Sequence, residues 1–174
     1  MLLKTSHFTT RPYRVNHIES NPDFIAFLET AEREILTSIL GHQLWAAVTA
    51  TGTLSAPLTS LRDGAEYEFN EITYKYYGLV DLLVPGALSE WVEAKNWTLT
   101  EMGYVEKAPL ENNTLIDPAG HTATLWNDYV KKVGDCYAQV NKGMGTLYGF
   151  LKANEEDYPT WEFNLPEKEN RWGM

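Results

Sequence analysis

Four histidines and one cysteine are the obvious places to look for chemistry in this chain: His7, His17, His42, His121 and Cys136. Zinc needs histidine or cysteine ligands at short, regular spacings. None of the histidines has a second histidine or a cysteine at such a spacing, and no His-Glu-x-x-His or Cys-x-x-Cys occurs. A cysteine nucleophile needs a base within hydrogen-bond reach. Cys136 follows His121 by fifteen residues, roughly 22 Å along a single helix. Cys136 therefore reads as a small core residue. The serine hydrolase pattern Gly-x-Ser-x-Gly is absent. Gly143-Met144-Gly145 falls inside a helical pattern and is not followed by Gly-Lys-Ser/Thr, so it does not read as a phosphate loop. Glu66 with Glu68, and Glu90 with Glu93, are carboxylate pairs of a kind common on solvated faces. No cofactor or metal is expected from these residues, and no catalytic group stands out.

What remains is aromatic surface, and the elements that would position it. The chain has 174 residues with 44% hydrophobic and 22% charged content, ordinary values for a globular domain. A chain of this size buries about 70% of its unfolded surface. No run of apolar residues is long enough to span a membrane. The apolar run at the start is too short for a signal peptide. A lone cysteine fits a reducing, intracellular or intraparticle setting. The net charge of −10 argues against a nucleic-acid phosphate grip. That charge is uneven: Lys4, Arg11 and Arg14 all precede the first acid, Glu19. A basic arm and an acidic body can attract each other between neighbouring copies.

Residues 1–20 carry no sustained period and contain Pro12, and read as an extended N-terminal arm. Asn21, Pro22 and Asp23 signal a helix start. Phe24, Phe27, Leu28, Ala31, Ile35 and Ile39 form its apolar face, and Gly41 stops or kinks it before a short second helix with Leu44, Trp45 and Val48. Residues 51–66 read as a loop. Residues 67–77 then alternate as a hairpin around Asn70-Glu71, with Tyr74 and Tyr76 on one face and Tyr77 on the other. Leu79 to Leu83 begin a helix whose continuity Pro85 limits, before Leu88, Trp91 and Val92. Residues 98–120 look irregular, with a strand at Tyr104 and Val105. The longest helix is expected over about 122–154, with Leu125, Tyr129, Val133, Val140, Met144, Leu147 and Leu151 on its apolar face. Its glycines either admit a second backbone or break the helix. An aromatic arm, residues 159–174, holds Trp161, Phe163 and Trp172. The expected fold is mainly α: a helical bundle over residues 21–158 with a small β-hairpin insertion and extended N- and C-terminal arms.

The order of these parts resembles a known family. An apolar helix ending in ILG is followed by Leu44-Trp45, then the YEFNEITYKYYGLVDLL passage, then the Trp91 helix and the long final helix. This resembles the head–tail connector proteins of tailed bacteriophages, also called adaptor, head-completion or ring proteins. The closest likeness is to the small adaptor-like proteins of crAss-like phages. There a Tyr-Glu-Tyr/Phe-Asn stretch leads through aromatics into a Gly-Leu helix start, the places held here by Tyr67-Glu68-Phe69-Asn70 and Gly78-Leu79.

The resemblance implies a non-enzymatic virion protein at the head–tail junction, assembled in the host cytoplasm. It implies a homo-oligomeric, dodecameric ring beneath the portal protein that docks other neck or tail proteins. DNA passes through such a ring without sequence-specific contact. Another phage neck or tail-completion role, or a small enzyme or binding module in the irregular 98–120 segment, stay open as alternatives. The interface residues expected on this reading are Tyr74, Lys75, Tyr76 and Tyr77 of the hairpin, Arg11 and Arg14 of the first arm, and Trp161, Phe163 and Trp172 of the last. Side-chain burial alone falls short of ordering the last arm, so Trp161 and Trp172 are expected to insert into a neighbour.

Overall fold

The computed structural model describes residues 1–9, 22–100, 103–106, 118–134 and 145–161. Among them the fold is mainly helical with a small antiparallel hairpin, as the periodicity predicts. Helix α1 spans Pro22–Thr49, and Gly41 breaks it with φ 75° and ψ 164°. Phe24, Leu28, Ile35 and Ile39 lie along its buried face, and Leu44 and Val48 continue that face beyond the kink.

The stretch read as a loop after α1 contains helix α2, Ala56–Asp63. Ser55 stands at its N-cap position and Pro57 in its first turn. A proline there gives up an N–H that has no helical partner anyway. The same proline that suggests a loop therefore serves as a helix start.

Strands β1, Ala65–Phe69, and β2, Ile72–Tyr76, form the first hairpin. Asn70 and Glu71 carry φ of 50° and 63°, the two left-handed residues of a type I′ turn. Gly64 and Gly78 close its base. A Cβ on Gly64 would lie 2.6 Å from the Tyr76 carbonyl oxygen, and one on Gly78 would lie 2.7 Å from that of Arg62. Both have positive φ, 94° and 88°, so a side chain at either place meets strain and backbone together.

Helix α3, Leu79–Asn96, runs on through Pro85, where an interruption was expected. Proline costs the bond that the Asp81 carbonyl would accept. The surrounding residues Leu82, Leu83, Val84, Ala87 and Leu88 are buried, and that packing holds the helix together. Next to Pro85, Gly86 is the point where three helices meet. A Cβ there would stand 3.1 Å from both Ile35 of α1 and Tyr129 of the next helix. A second hairpin, β3 Trp97–Thr100 with β4 Gly103–Glu106, replaces part of the irregular stretch expected after residue 98.

The single long helix expected over 122–154 is instead divided. Helix α4 covers Pro118–Val133 and α5 covers Leu147–Ala153. Gly134 turns the chain at φ 103°, and Gly145 does so again at φ 88°. A Cβ on Gly134 would come within 2.5 Å of Thr146 Oγ1. Thr146 caps α5 by accepting a bond from the Gly149 N–H at 3.1 Å. Gly134 serves a close approach, but between the end of one helix and the cap of the next. Val140 and Met144, expected on this helix's apolar face, lie outside the described residues.

Over residues 1–9 the start of the chain is not an extended arm, and residues 10–20 of that expected arm lie outside the described residues. Thr5–Phe8 forms a 3-10 turn, and Leu3 and Phe8 are fully buried. Phe8 meets Phe24 edge-on at 5.1 Å. The Glu32 carboxylate of α1 is only 5% exposed. It accepts bonds from the backbone N–H groups of Leu2 and Leu3, both at 2.7 Å. A buried carboxylate needs such donors, and the two N–H groups fasten the segment to α1.

Candidate interaction surface

The hairpin has two unlike faces because side chains alternate along a strand. Ala65, Tyr67, Phe69, Ile72, Tyr74 and Tyr76 share the face toward the body. Tyr67 and Tyr76 are buried. Tyr76 stacks on Phe150 of α5 at 4.8 Å, and Tyr67 meets the same ring edge-on at 5.5 Å. The Tyr67 hydroxyl accepts a bond from the Gly145 N–H at 2.9 Å.

Tyr76 therefore leaves the set of expected interface residues. It is 3% exposed, and its hydroxyl has no hydrogen-bond partner among the described residues. Burial pushes its ionisation well above the ordinary tyrosine value. Tyr74 is half-buried and tilted against Tyr67 at 5.9 Å. Further out on the same face the support ends, and Ile72 stands 54% exposed near the tip.

The outward face keeps its expected character. Lys75 is exposed and Tyr77 is 64% exposed. The Lys75 ammonium lies 5.4 Å from the centre of the Tyr77 ring, within cation–π range. Glu66 and Glu68 project from β1 on the same outward face, with Glu66 directly across from Lys75.

Trp161, expected to insert into a neighbour, sits instead on its own chain. Its indole N–H donates to the Ile39 carbonyl at 3.2 Å, and its ring lies 5.5 Å from that of Tyr148. Just before it, the Tyr158 hydroxyl donates to the Pro57 carbonyl at 2.7 Å. The chain thus supplies its own seat for Trp161, through backbone hydrogen bonding as well as ring contact. Those bonds add to what side-chain burial supplies. Arg11, Arg14, Phe163 and Trp172 lie outside the described residues.

A groove of about 550 Å³ runs along β2, lined by residues 73–78 and by Asp81, Leu82, Lys131, Lys132, Gly145 and Thr146. Lys132 pairs with Asp81 at 2.8 Å, while Lys131 projects exposed from α4. Neither lysine is an obvious interface residue by spacing. An adjacent Lys-Lys pair in a chain of net charge −10 was the available signal. Among the described residues no group of three or more histidine, cysteine, aspartate or glutamate side chains is placed to hold a metal ion. No helix among them is long and apolar enough to cross a membrane.

Residues 36–171 match the model of DUF6712, a family of unknown function. The chain belongs to this family. The DUF6712 match takes in the kink at Gly41, both hairpins, the β2 groove and Trp161. The buried carboxylate of Glu32 and the segment fastened to it precede the matched span. No curated protein and no solved structure matches the chain.

Proposed function

We propose that this DUF6712 protein is a non-enzymatic structural subunit of a phage head–tail connector, assembling as a ring beneath the portal and docking the tail. The observation that supports the reading best is the hairpin. Its inner face is braced by Tyr67, Tyr76 and Phe150, while Tyr77 and Ile72 remain open to solvent. An isolated two-stranded hairpin is marginal in water. This one is held firm by its own body, which leaves the outer aromatic and the tip for another chain. Tyrosine supplies large contact area at low entropic cost, which suits it to interfaces. The order of sequence features, which resembles that of connector proteins, adds to this.

Native mass spectrometry and electron microscopy of the purified protein, alone and with a portal protein, test the reading. Closed rings of many copies that dock on the portal are expected. A chain that stays single and ignores the portal would overturn it. Replacing Lys75 and Tyr77 together with Ala should impair ring formation and leave the melting temperature unchanged.

A further inference from the structure

The first hairpin ends on two open edges, because β1 and β2 pair only with each other among the described residues. The two-residue turn makes Phe69 and Ile72 a hydrogen-bonded pair, and the pairs alternate from there. Thr73 and Lys75 therefore turn their N–H and C=O groups outward along the β2 edge. Glu66 and Glu68 do the same along the β1 edge. Each edge thus offers two residues, two apart, whose outward donors and acceptors make no strand pairing among the described residues, with Gly145 beside the Lys75 carbonyl. Such an edge is a template for another strand.

The two edges differ in charge. The β1 edge carries Glu66 and Glu68, both exposed. The β2 edge carries Lys75 and borders the groove with Lys131 and Lys132. The Asp81 carboxylate offsets Lys132 there, which leaves the groove basic in an acidic chain. Gly145 lies against the Lys75 carbonyl, where a Cβ would approach to 3.2 Å, so the body side of the groove stays low.

We infer that the β1 edge of one copy docks along the β2 edge of the next, extending the sheet between subunits with Glu66 and Glu68 set against Lys75 and Lys131. The inference rests on the assembly reading above and specifies its contact. Unlike edges meeting head to tail form a heterologous interface, the kind that closes into a ring when its rotation allows. Backbone pairing supplies the affinity of strand addition, and the opposite charges fix which edge meets which.

Two charge-reversed proteins test it. E66K/E68K has two basic edges, and K75E/K131E has two acidic ones. All four side chains are exposed, and a thermal melt of each variant checks that the fold survives. Each variant alone should lose the assembled species seen for the unaltered protein. An equimolar mixture should regain it, with the two variants alternating in the mass spectrum. Assembly by either variant alone at the unaltered level would overturn the inference, as would a mixture that remains dispersed, while rings of the unaltered protein would still stand. If the unaltered protein is itself monomeric, the ring reading fails, and a peptide of residues 64–70 decides the edge. Saturable binding that K75E/K131E weakens at least tenfold supports it. No binding, or equal binding by both proteins, overturns it.

Discussion

The hydroxyl of Tyr67 accepts a hydrogen bond from the backbone N–H of Gly145 at 2.9 Å, across 78 residues of chain. Nine residues on, Tyr76 shares the Phe150 ring with Tyr67, but its hydroxyl is buried without a partner among the described residues. Two tyrosines on one face of one hairpin should thus respond oppositely to loss of the hydroxyl. Tyr67→Phe should cost about 1 kcal/mol, since it strands a backbone donor. Tyr76→Phe should be neutral or stabilising, since it removes an unpaired polar atom. Urea unfolding midpoints of the two variants measure the difference. A clear loss of stability in Tyr76→Phe would contradict the description of its surroundings.

Glu32 fastens the start of the chain to α1. Glu32→Ala should destabilise by about 1.5–3 kcal/mol, the range for hydrogen bonds to a charged group. The effect should be local as well as global. Hydrogen exchange at Leu3 should rise strongly, with that of the α3 core less affected.

Leu28 and Ile35 lie on the buried face of α1, and Ile35 abuts Gly86 where α1, α3 and α4 converge. Leu28→Ala and Ile35→Ala should each cost about 2–5 kcal/mol, from lost burial and the cavity left behind. Thermal and urea melts give the values, and unchanged midpoints for both would refute the bundle packing.

Alkali should unfold this protein through its tyrosines. Burial, helped by the Asp157 charge, pushes the Tyr158 hydroxyl from 10.0 up to about 12. Burial also raises Tyr76, Tyr129 and Tyr67, the last against the opposing bond from Gly145. The folded state then holds these protons more tightly than the unfolded chain. Their contribution to stability is intact below the unfolded tyrosine value and is lost as pH rises through the folded values. Melting temperature should hold level up to about pH 10 and fall steeply beyond it. Tyr158→Phe should lessen that fall, a comparison a pH series of melts supplies.

The parts of the fold legible in sequence were those in which local pattern and tertiary packing agree. The Phe24-to-Ile39 period, the Gly41 break and the Asn70-Glu71 turn are cases of this kind. The misses share a cause. Pro57 and Pro85 punctuate the sequence, but one sits where a helix can use it and the other where burial outweighs it. Gly134 continues an apolar period into α5, and only its approach to Thr146 reveals the break. Of the interaction surface, exposed Lys75 and Tyr77 were legible from alternation. Which tyrosine face would be buried was not, because that depends on Phe150, a residue distant in sequence. Trp161 was misplaced for the same reason: its partner is the Ile39 carbonyl, and backbone acceptors leave no mark in a sequence.

Gly64 and Gly78 bring the two ends of the hairpin so close that neither can carry a side chain. Mechanically, the hairpin is a cantilever clamped at its root. A load on the tip at Ile72 cannot be relieved by splaying the strands, because the chain entering and the chain leaving are pressed together there. It passes instead into α2 through Arg62 and Asp63, and into α5 through the rings stacked on Phe150. A pull at the tip therefore reaches α2 and α5 at once.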